Sequence, residues 1–487
     1  MGVVVNQSFK NILIIFLAFA IGGVNVLYLY PQFLKDEYYG LVIYIFSASN
    51  LLMPLIAFGV QHSVIKFYSA YQGKIQRDRF LTMSLFLPLL IALPIGYFWD
   101  VIHRWIMANI PEENSIIEDY TIYIYLVAIA CANFEVFYSW SRVQLQSVFG
   151  NILKELWHRV VVMGLLFAVS FTFISAQEFL LYSTGFYFLR MIVMMGYAFF
   201  KYLPTFSPRL PENWREVLIY TGYLVLAGSA GAMIIDIDKV MIPGKRELAQ
   251  AAYYSVAVFI GSLVEAPGRA MFQILNPLVS KALNEQNTKE VESLYKKSAI
   301  NLLVVCGLFF LLINSNIHEL YAILPEKFKD GVWVVLMISS LKLFSLATGS
   351  HQAIIGNSKY YKISLPFALG TALSVYFLND ILIDKIGIDG AALSSLVVVA
   401  FFTIIKVAFI YNKLKIQPFT SKSLTVLFLI VGLFFAFYFW HFPFHAIVNI
   451  ILKSAIIVSC YLVLISRFNV SEDVNRIIRQ CIKFLVK

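Results

Sequence analysis

Apolar and polar positions along this chain alternate in long blocks, not at the spacing of one amphipathic face. Fourteen stretches of 17 or more mostly uncharged residues follow one another, at roughly 11–30, 39–60, 80–99, 120–138, 160–176, 180–200, 217–236, 250–275, 298–315, 331–350, 361–379, 388–411, 423–440 and 446–466. Each is long enough to cross the ~30 Å hydrocarbon core of a bilayer as a helix. A backbone in lipid must satisfy its own hydrogen bonds, so all are predicted helical. The fold class expected is therefore all-α, a polytopic membrane protein of about fourteen spans. The longest gap on one side, about 100–119, holds some 20 residues, which leaves no room for a sizeable soluble domain.

Charge orients these spans. Of the 38 Lys and Arg, 25 fall in one set of alternate gaps and only 7 in the other, the rest lying within or at the ends of spans. Cytoplasmic loops carry the Lys/Arg excess, which places both termini in the cytoplasm. The net charge of +10 then belongs to short loops that face anionic headgroups, and nucleic acid is not an expected partner. The first stretch is too long for a signal-peptide core and has no small-residue cleavage site, so it reads as a retained first span.

Composition adds exclusions. Cys131, Cys306, Cys460 and Cys481 lie in spans or in the basic tail without a CxxC pair, so no disulfide framework, metal site or cofactor is expected. No GxxxxGK[ST] phosphate loop, HExxH or nucleophile elbow occurs, which argues against an ATP-driven pump or a hydrolase. Two basic gaps read as surface helices: Gln61–Arg79, with Lys66, Lys74, Arg77 and Arg79, and Lys281–Lys297. In the second, Asn287 can cap a helix with Glu290 at its third position, and Glu292 can pair with Lys296.

Residues 37–44 (Glu37-Tyr38-Tyr39-Gly40-Leu41-Val42-Ile43-Tyr44) match 252–259 (Ala252-Tyr253-Tyr254-Ser255-Val256-Ala257-Val258-Phe259), 215 residues and six spans later. Parallel repeats of this kind mark two-lobed transporters. The division expected is an N-lobe over 1–213, a C-lobe over 214–417, and a last pair of spans with a basic tail over 418–487.

A charge at the bilayer centre costs about 2.5–3.5 kcal/mol on insertion scales, so each one needs a reason. Arg269 stands four residues after Glu265, on the same helical face, and Pro267 and Gly268 interrupt the helix between them. Arg269 would hold a phosphate or diphosphate with its planar fork, or form a structural ion pair with Glu265. Arg190, Lys342 and Glu135 are further candidates to line a water-filled lumen. Lys66, beside Gln61 and His62, could meet an anionic headgroup. Asp236 and Asp238 could bind a coupling cation, or simply make a polar helix end. Lys406 and Lys453 read as snorkelling side chains.

In order along the chain come Tyr30-Pro31-Gln32-Phe33-Leu34, Glu37-Tyr38-Tyr39-Gly40-Leu41, Phe58-Gly59-Val60-Gln61, Asp238-Lys239 with Ala252-Tyr253-Tyr254, Asn276-Pro277-Leu278-Val279-Ser280, and Gly387-Ile388-Asp389-Gly390-Ala391-Ala392-Leu393-Ser394. This series resembles the polysaccharide and oligosaccharide-lipid flippases of the multidrug/oligosaccharidyl-lipid/polysaccharide (MOP) exporter superfamily. Where many relatives carry a cation in the first span, this chain has Asn25. The resemblance implies two six-helix lobes around a cavity (MATE-like), an added C-terminal helix pair, and alternating access. It also implies a bacterial inner-membrane location, a sugar chain on undecaprenyl diphosphate as substrate, and polysaccharide polymerase or chain-length machinery as a partner. The function expected is outward flipping of lipid-linked oligosaccharide for O-antigen, capsule or another exopolysaccharide, without enzymatic chemistry. The alternatives are a cation-coupled multidrug exporter, a lipid II flippase, and, from a different class, a membrane glycan polymerase or ligase.

Overall fold

A computed structural model describes residues 2–476 except Gln72, Leu145 and Glu472, with no account of the side chains up to Lys10 or of Ile12. Most of the basic tail, with Cys481, lies outside the described residues. All regular structure among them is helical. In chain order the long helices are α1 (Leu13–Phe33), α2 (Asp36–Ala57), α3 (Lys74–Tyr97), α4 (Thr121–Arg142), α5 (148–170), α6 (Ala176–Lys201), α7 (Trp214–Met241), α8 (Leu248–Asn284), α9 (Thr288–Ser315) and α10 (Val332–Ala347). There follow two limbs of one segment, α11 (364–385) and α12 (388–414), then α13 (Ser421–Tyr438) and α14 (Ala446–Arg467).

Twelve helices among the described residues are long and apolar enough to cross a membrane. The count differs from fourteen for two local reasons. Helix α5 is broken by a π-turn over Ile152–Trp157, and its polar start, with Lys154, Glu155, His158 and Arg159, dilutes its hydropathy. The segment Ser364–Leu414 is 51 residues long, which as one straight helix would reach ~77 Å. It is instead a helical hairpin. Gly387 takes φ +62° and ψ −138°, beyond the reach of most L side chains. Ser394 Oγ donates to the Val375 carbonyl at 3.2 Å, although 19 residues of straight helix would separate them by ~28 Å.

Gly390 completes the turn, because a Cβ there would stand 2.2 Å from the Leu382 carbonyl oxygen. Gly390→Val is therefore expected to prevent the limbs from closing. Membrane-inserted protein should fall several-fold relative to wild type on immunoblots, whereas Gly356→Val, where a Cβ meets open space, should leave the level unchanged.

Residues 1–255 and 256–487 form two compact units. Helix α7 packs on α2 in the first unit, where Asn50 Nδ2 donates to Asp236 Oδ2 at 3.2 Å. The last helix pair lies inside the second unit, its Val426, Ile430, Ile457 and Tyr461 sharing a core with Leu302, Leu303, Cys306 and Phe310 of α9. The first unit is built around Phe80, Phe134, Trp140, Leu153 and Met194. Each repeated segment packs beside the start of the other within it: Tyr253 Oη donates to Asp36 Oδ2 at 3.0 Å, and Gly40 lies against the Leu248 backbone.

The two expected surface helices are short, and their chain is absorbed by the spans. The first is Val60–Phe67, entered through Phe58 and Gly59 in the left-handed conformation, before α3 starts at Lys74. In the second gap α8 runs on to Asn284 and α9 begins at Thr288. Asn287 Oδ1 accepts from the Glu290 N–H at 3.1 Å, as the capping pattern predicted, and Lys296 pairs with Glu292 at 2.5 Å.

Candidate functional site

Among the described residues, each unit gathers deep cations: Arg190 in the first, Arg269 and Lys342 in the second. In the first, Arg190 sits near the middle of α6 and is only 6% exposed. Its guanidinium carbon lies 4.3 Å from the centre of the Phe134 ring and 4.8 Å from that of Tyr187. Nη2 donates to Cys131 Sγ at 3.3 Å, a weak acceptor, and buried Nε has no acceptor among the described residues. Phe46, His158 and Tyr187 close the box, with His158 Nε2 3.5 Å from Tyr187 Oη. Aromatic faces return up to ~2 kcal/mol to a desolvated cation. That is less than burying an unpaired charge costs, so the guanidinium of Arg190 is under-compensated among the described residues.

In the second unit, the α8 helix is interrupted by a 3₁₀ turn over Leu263–Glu265, and Pro267 opens the next segment. Arg269 Nε lies 3.2 Å from Glu265 Oε1, and Lys342 Nζ of α10 reaches Glu265 Oε2 at 2.6 Å. The Arg269–Glu265 pair read from the sequence and Lys342, singled out apart from it, thus form one triad of two cations and one carboxylate. Their side chains are 42%, 33% and 24% exposed for Arg269, Lys342 and Glu265. The carboxylate positions both cations.

The remaining candidates are placed as follows. Glu135 pairs with Lys154 at 2.6 Å, the lysine coming from the π-turn of α5. Lys66 is exposed and lies 3.7 Å from the centre of the Tyr220 ring. Asp236 accepts from Lys239 at 2.7 Å and from Asn50, while buried Asp238 accepts from Tyr254 Oη. Asn25, 2% exposed, opens a π-turn in α1 and donates to the Arg159 carbonyl at 2.8 Å. Gly22 of α1 lies against the Arg159 side chain, 3.3 Å from a Cβ built there. Single π-turns inside membrane helices often accompany function.

Sequence reading missed the surroundings of Arg190 and the partner of Glu135. Cys131 and Glu135 do share a face of α4 at i, i+4 spacing, a signal that points toward this region. Lys453 corrects an expectation: it does not snorkel but is fully buried, with Nζ 3.4 Å from Glu319 Oε1.

No protein-family model and no curated protein sequence matches this chain. Solved structures do. The lipid II flippase MurJ in an inward closed conformation aligns at TM-score 0.69 and 15% identity, covering 94% of this chain and 98% of that one. This chain has the fold of the MOP transporters. An inward-facing multidrug resistance MATE transporter of the MOP superfamily aligns at TM-score 0.61 and 14% identity, over 85% of this chain and 94% of that one. A MOP superfamily transporter from Pyrococcus furiosus, described as having a binding pocket of reversed polarity, aligns at 0.55 and 14%, over 85% and 95%. These likenesses carry the all-helical, MATE-like fold expected from the sequence.

Proposed function

We propose that this chain is a flippase that moves an oligosaccharide on undecaprenyl diphosphate outward across the bacterial inner membrane, for O-antigen, capsule or another exopolysaccharide. The observation that carries the reading is Arg190, buried against aromatic faces with no carboxylate partner among the described residues, together with Arg269 and Lys342 gathered on one carboxylate, Glu265. A diphosphate brings negative charge to such cations, and the guanidinium fork matches its oxygens. The polar glycan needs a hydrated path across ~30 Å of hydrocarbon, whereas the polyprenyl tail is at home in lipid. Lys66, and Lys154 beside Glu135, meet the headgroup on the cytoplasmic side before it reaches the deeper cations. Alternating access exposes these groups to one side at a time. Asp236 and Asp238 are the proposed coupling-ion positions, with Asp236 accepting a cation when Lys239 leaves it. Polysaccharide polymerase or chain-length machinery is the proposed downstream partner.

A multidrug exporter for organic cations would require surplus carboxylate, the opposite balance. The test is reconstitution in vesicles with a fluorescent undecaprenyl-diphosphate oligosaccharide. Protein should accelerate its appearance in the outer leaflet at least 10-fold over empty vesicles, and organic cations should not move. In cells, depletion should remove surface glycan while cell-wall synthesis continues, and arrest of the cell wall would instead mark a lipid II flippase. Movement of organic cations but not of the lipid-linked glycan would overturn the proposal.

A further inference from the structure

The last helix pair carries a polar cluster that shares no residue with the Arg190 centre or the Glu265 triad. Glu319, 5% exposed, lies in the short helix Ile317–Ile323 that follows α9. Its Oε1 is approached by three groups: His441 Nδ1 at 2.7 Å, Asn449 Nδ2 at 3.3 Å and Lys453 Nζ at 3.4 Å. Its Oε2 is buried and has no donor among the described residues. Asn449 also folds the connection between α13 and α14 onto this carboxylate, accepting from the Phe442 N–H and donating to the Phe442 carbonyl, both at 3.2 Å. The cluster therefore ties the α13–α14 connection to the rest of the unit through one under-compensated carboxylate.

We propose that Glu319, His441, Asn449 and Lys453 form a proton-binding site, with His441 taking the proton from water on the side away from the basic loops, so that acidification fastens the α13–α14 connection to the helix Ile317–Ile323. His441 is 48% exposed and so reachable by water, yet it touches a nearly buried carboxylate. Imidazole is the side chain whose charge ordinarily changes between pH 5 and 8. A neutral His441 offers Glu319 one ordinary hydrogen bond. A charged one adds a second cation to a carboxylate whose nearest present cation stands at the long distance of 3.4 Å.

The groups facing His441 set the sign. From the helix Ile317–Ile323 come Glu319, in its favour, and His318, whose ring centre is 5.9 Å away and whose charged form would oppose it. Burial and the neighbouring His441 hold His318 below the usual imidazole range. From α14 comes Lys453, also opposing, and from α13 the Tyr438 ring, packed on His318 at 5.0 Å. His445 caps α14, accepting from the Ile447 N–H. Glu326 and Lys329 pair with each other at 3.0 Å in an exposed turn, and Lys342 of α10 is held by Glu265. Burial works against the Glu319 charge, but the bond from His441, a backbone bond and the charge of Lys453 outweigh it and hold the carboxyl below its usual range. The ion pair of His441 with Glu319 is present while His441 carries its proton and lost when the proton leaves. Stability from ionised Glu319 is present above the carboxylate range and lost below it.

The test uses the purified full chain in detergent. Between pH 8 and pH 6 the wild-type Tm should rise by ~2–5 °C, and amide exchange over residues 442–449 should slow several-fold. His441→Gln, which keeps a donor without a titrating charge, should fold and lose both responses, whereas His318→Gln should keep them. The same pH response in His441→Gln as in wild type, no response in wild type, or loss of the response in His318→Gln alone would each overturn the proposal.

Discussion

Arg269→Ala should abolish surface glycan while the protein remains in the membrane at its normal level. Glu265 keeps Lys342 at 2.6 Å, so no buried carboxylate is orphaned, and Arg269 is 42% exposed, so its removal opens no large cavity. An exposed i, i+4 pair of this kind is worth only about 0.3–0.5 kcal/mol of stability. Binding is a different matter. The triad loses one of its two cations, and with it the fork proposed to grip two phosphate oxygens. A hydrogen bond to a charged group is worth about 1.5–3 kcal/mol, or roughly 10–100-fold in affinity. Flipping measured in vesicles should fall by at least that factor. Arg269→Lys should recover part of the rate, because charge returns without the fork. Normal glycan display in Arg269→Ala would remove this residue from the mechanism.

Arg190→Met separates a structural from a functional role in the other unit. A structural residue so deeply buried would destabilise the protein when replaced. Here the balance runs the other way. The methionine keeps much of the volume against Phe134 and Tyr187 and carries no charge. The cation it replaces costs about 2.5–3.5 kcal/mol at a helix centre, against a return of up to ~2 kcal/mol from the aromatic faces. The Tm of the detergent-purified variant should be unchanged or higher, while flipping falls by roughly 10–100-fold, the worth of one charge-assisted contact to phosphate. A marked drop in Tm with flipping retained would make Arg190 a packing residue.

What the sequence made legible follows from how costly each feature is in lipid. The spans were readable because a bilayer demands about 20 apolar residues for every crossing, and even the 51-residue segment was divided at the right place by the polar run near Gly387. Helix α5 was placed at 160–176 and lies at 148–170. Its first turns carry Lys154, Glu155, His158 and Arg159, polar residues accommodated by the Glu135 pair and the π-turn, neither of which has a local signature. The pairing of Arg269 with Glu265 was legible from i, i+4 spacing. That Lys342 completes the triad was not, since α8 and α10 are joined only by tertiary packing. Lys453 misled for the same reason: its partner Glu319 lies in a short helix outside any span, 134 residues earlier. Charges inside spans were thus located by their cost, but their partners had to be seen.

The proposed function requires that Arg190 and Arg269 each bind the diphosphate of a lipid-linked sugar. The most direct test titrates the purified chain with a water-soluble, short-chain polyprenyl-diphosphate sugar and with the same sugar on the uncharged alcohol. The diphosphate should bind at least 10-fold tighter, with that preference reduced by Arg190→Met and by Arg269→Ala. Equal affinity for the two compounds, or a preference untouched by both substitutions, would contradict it.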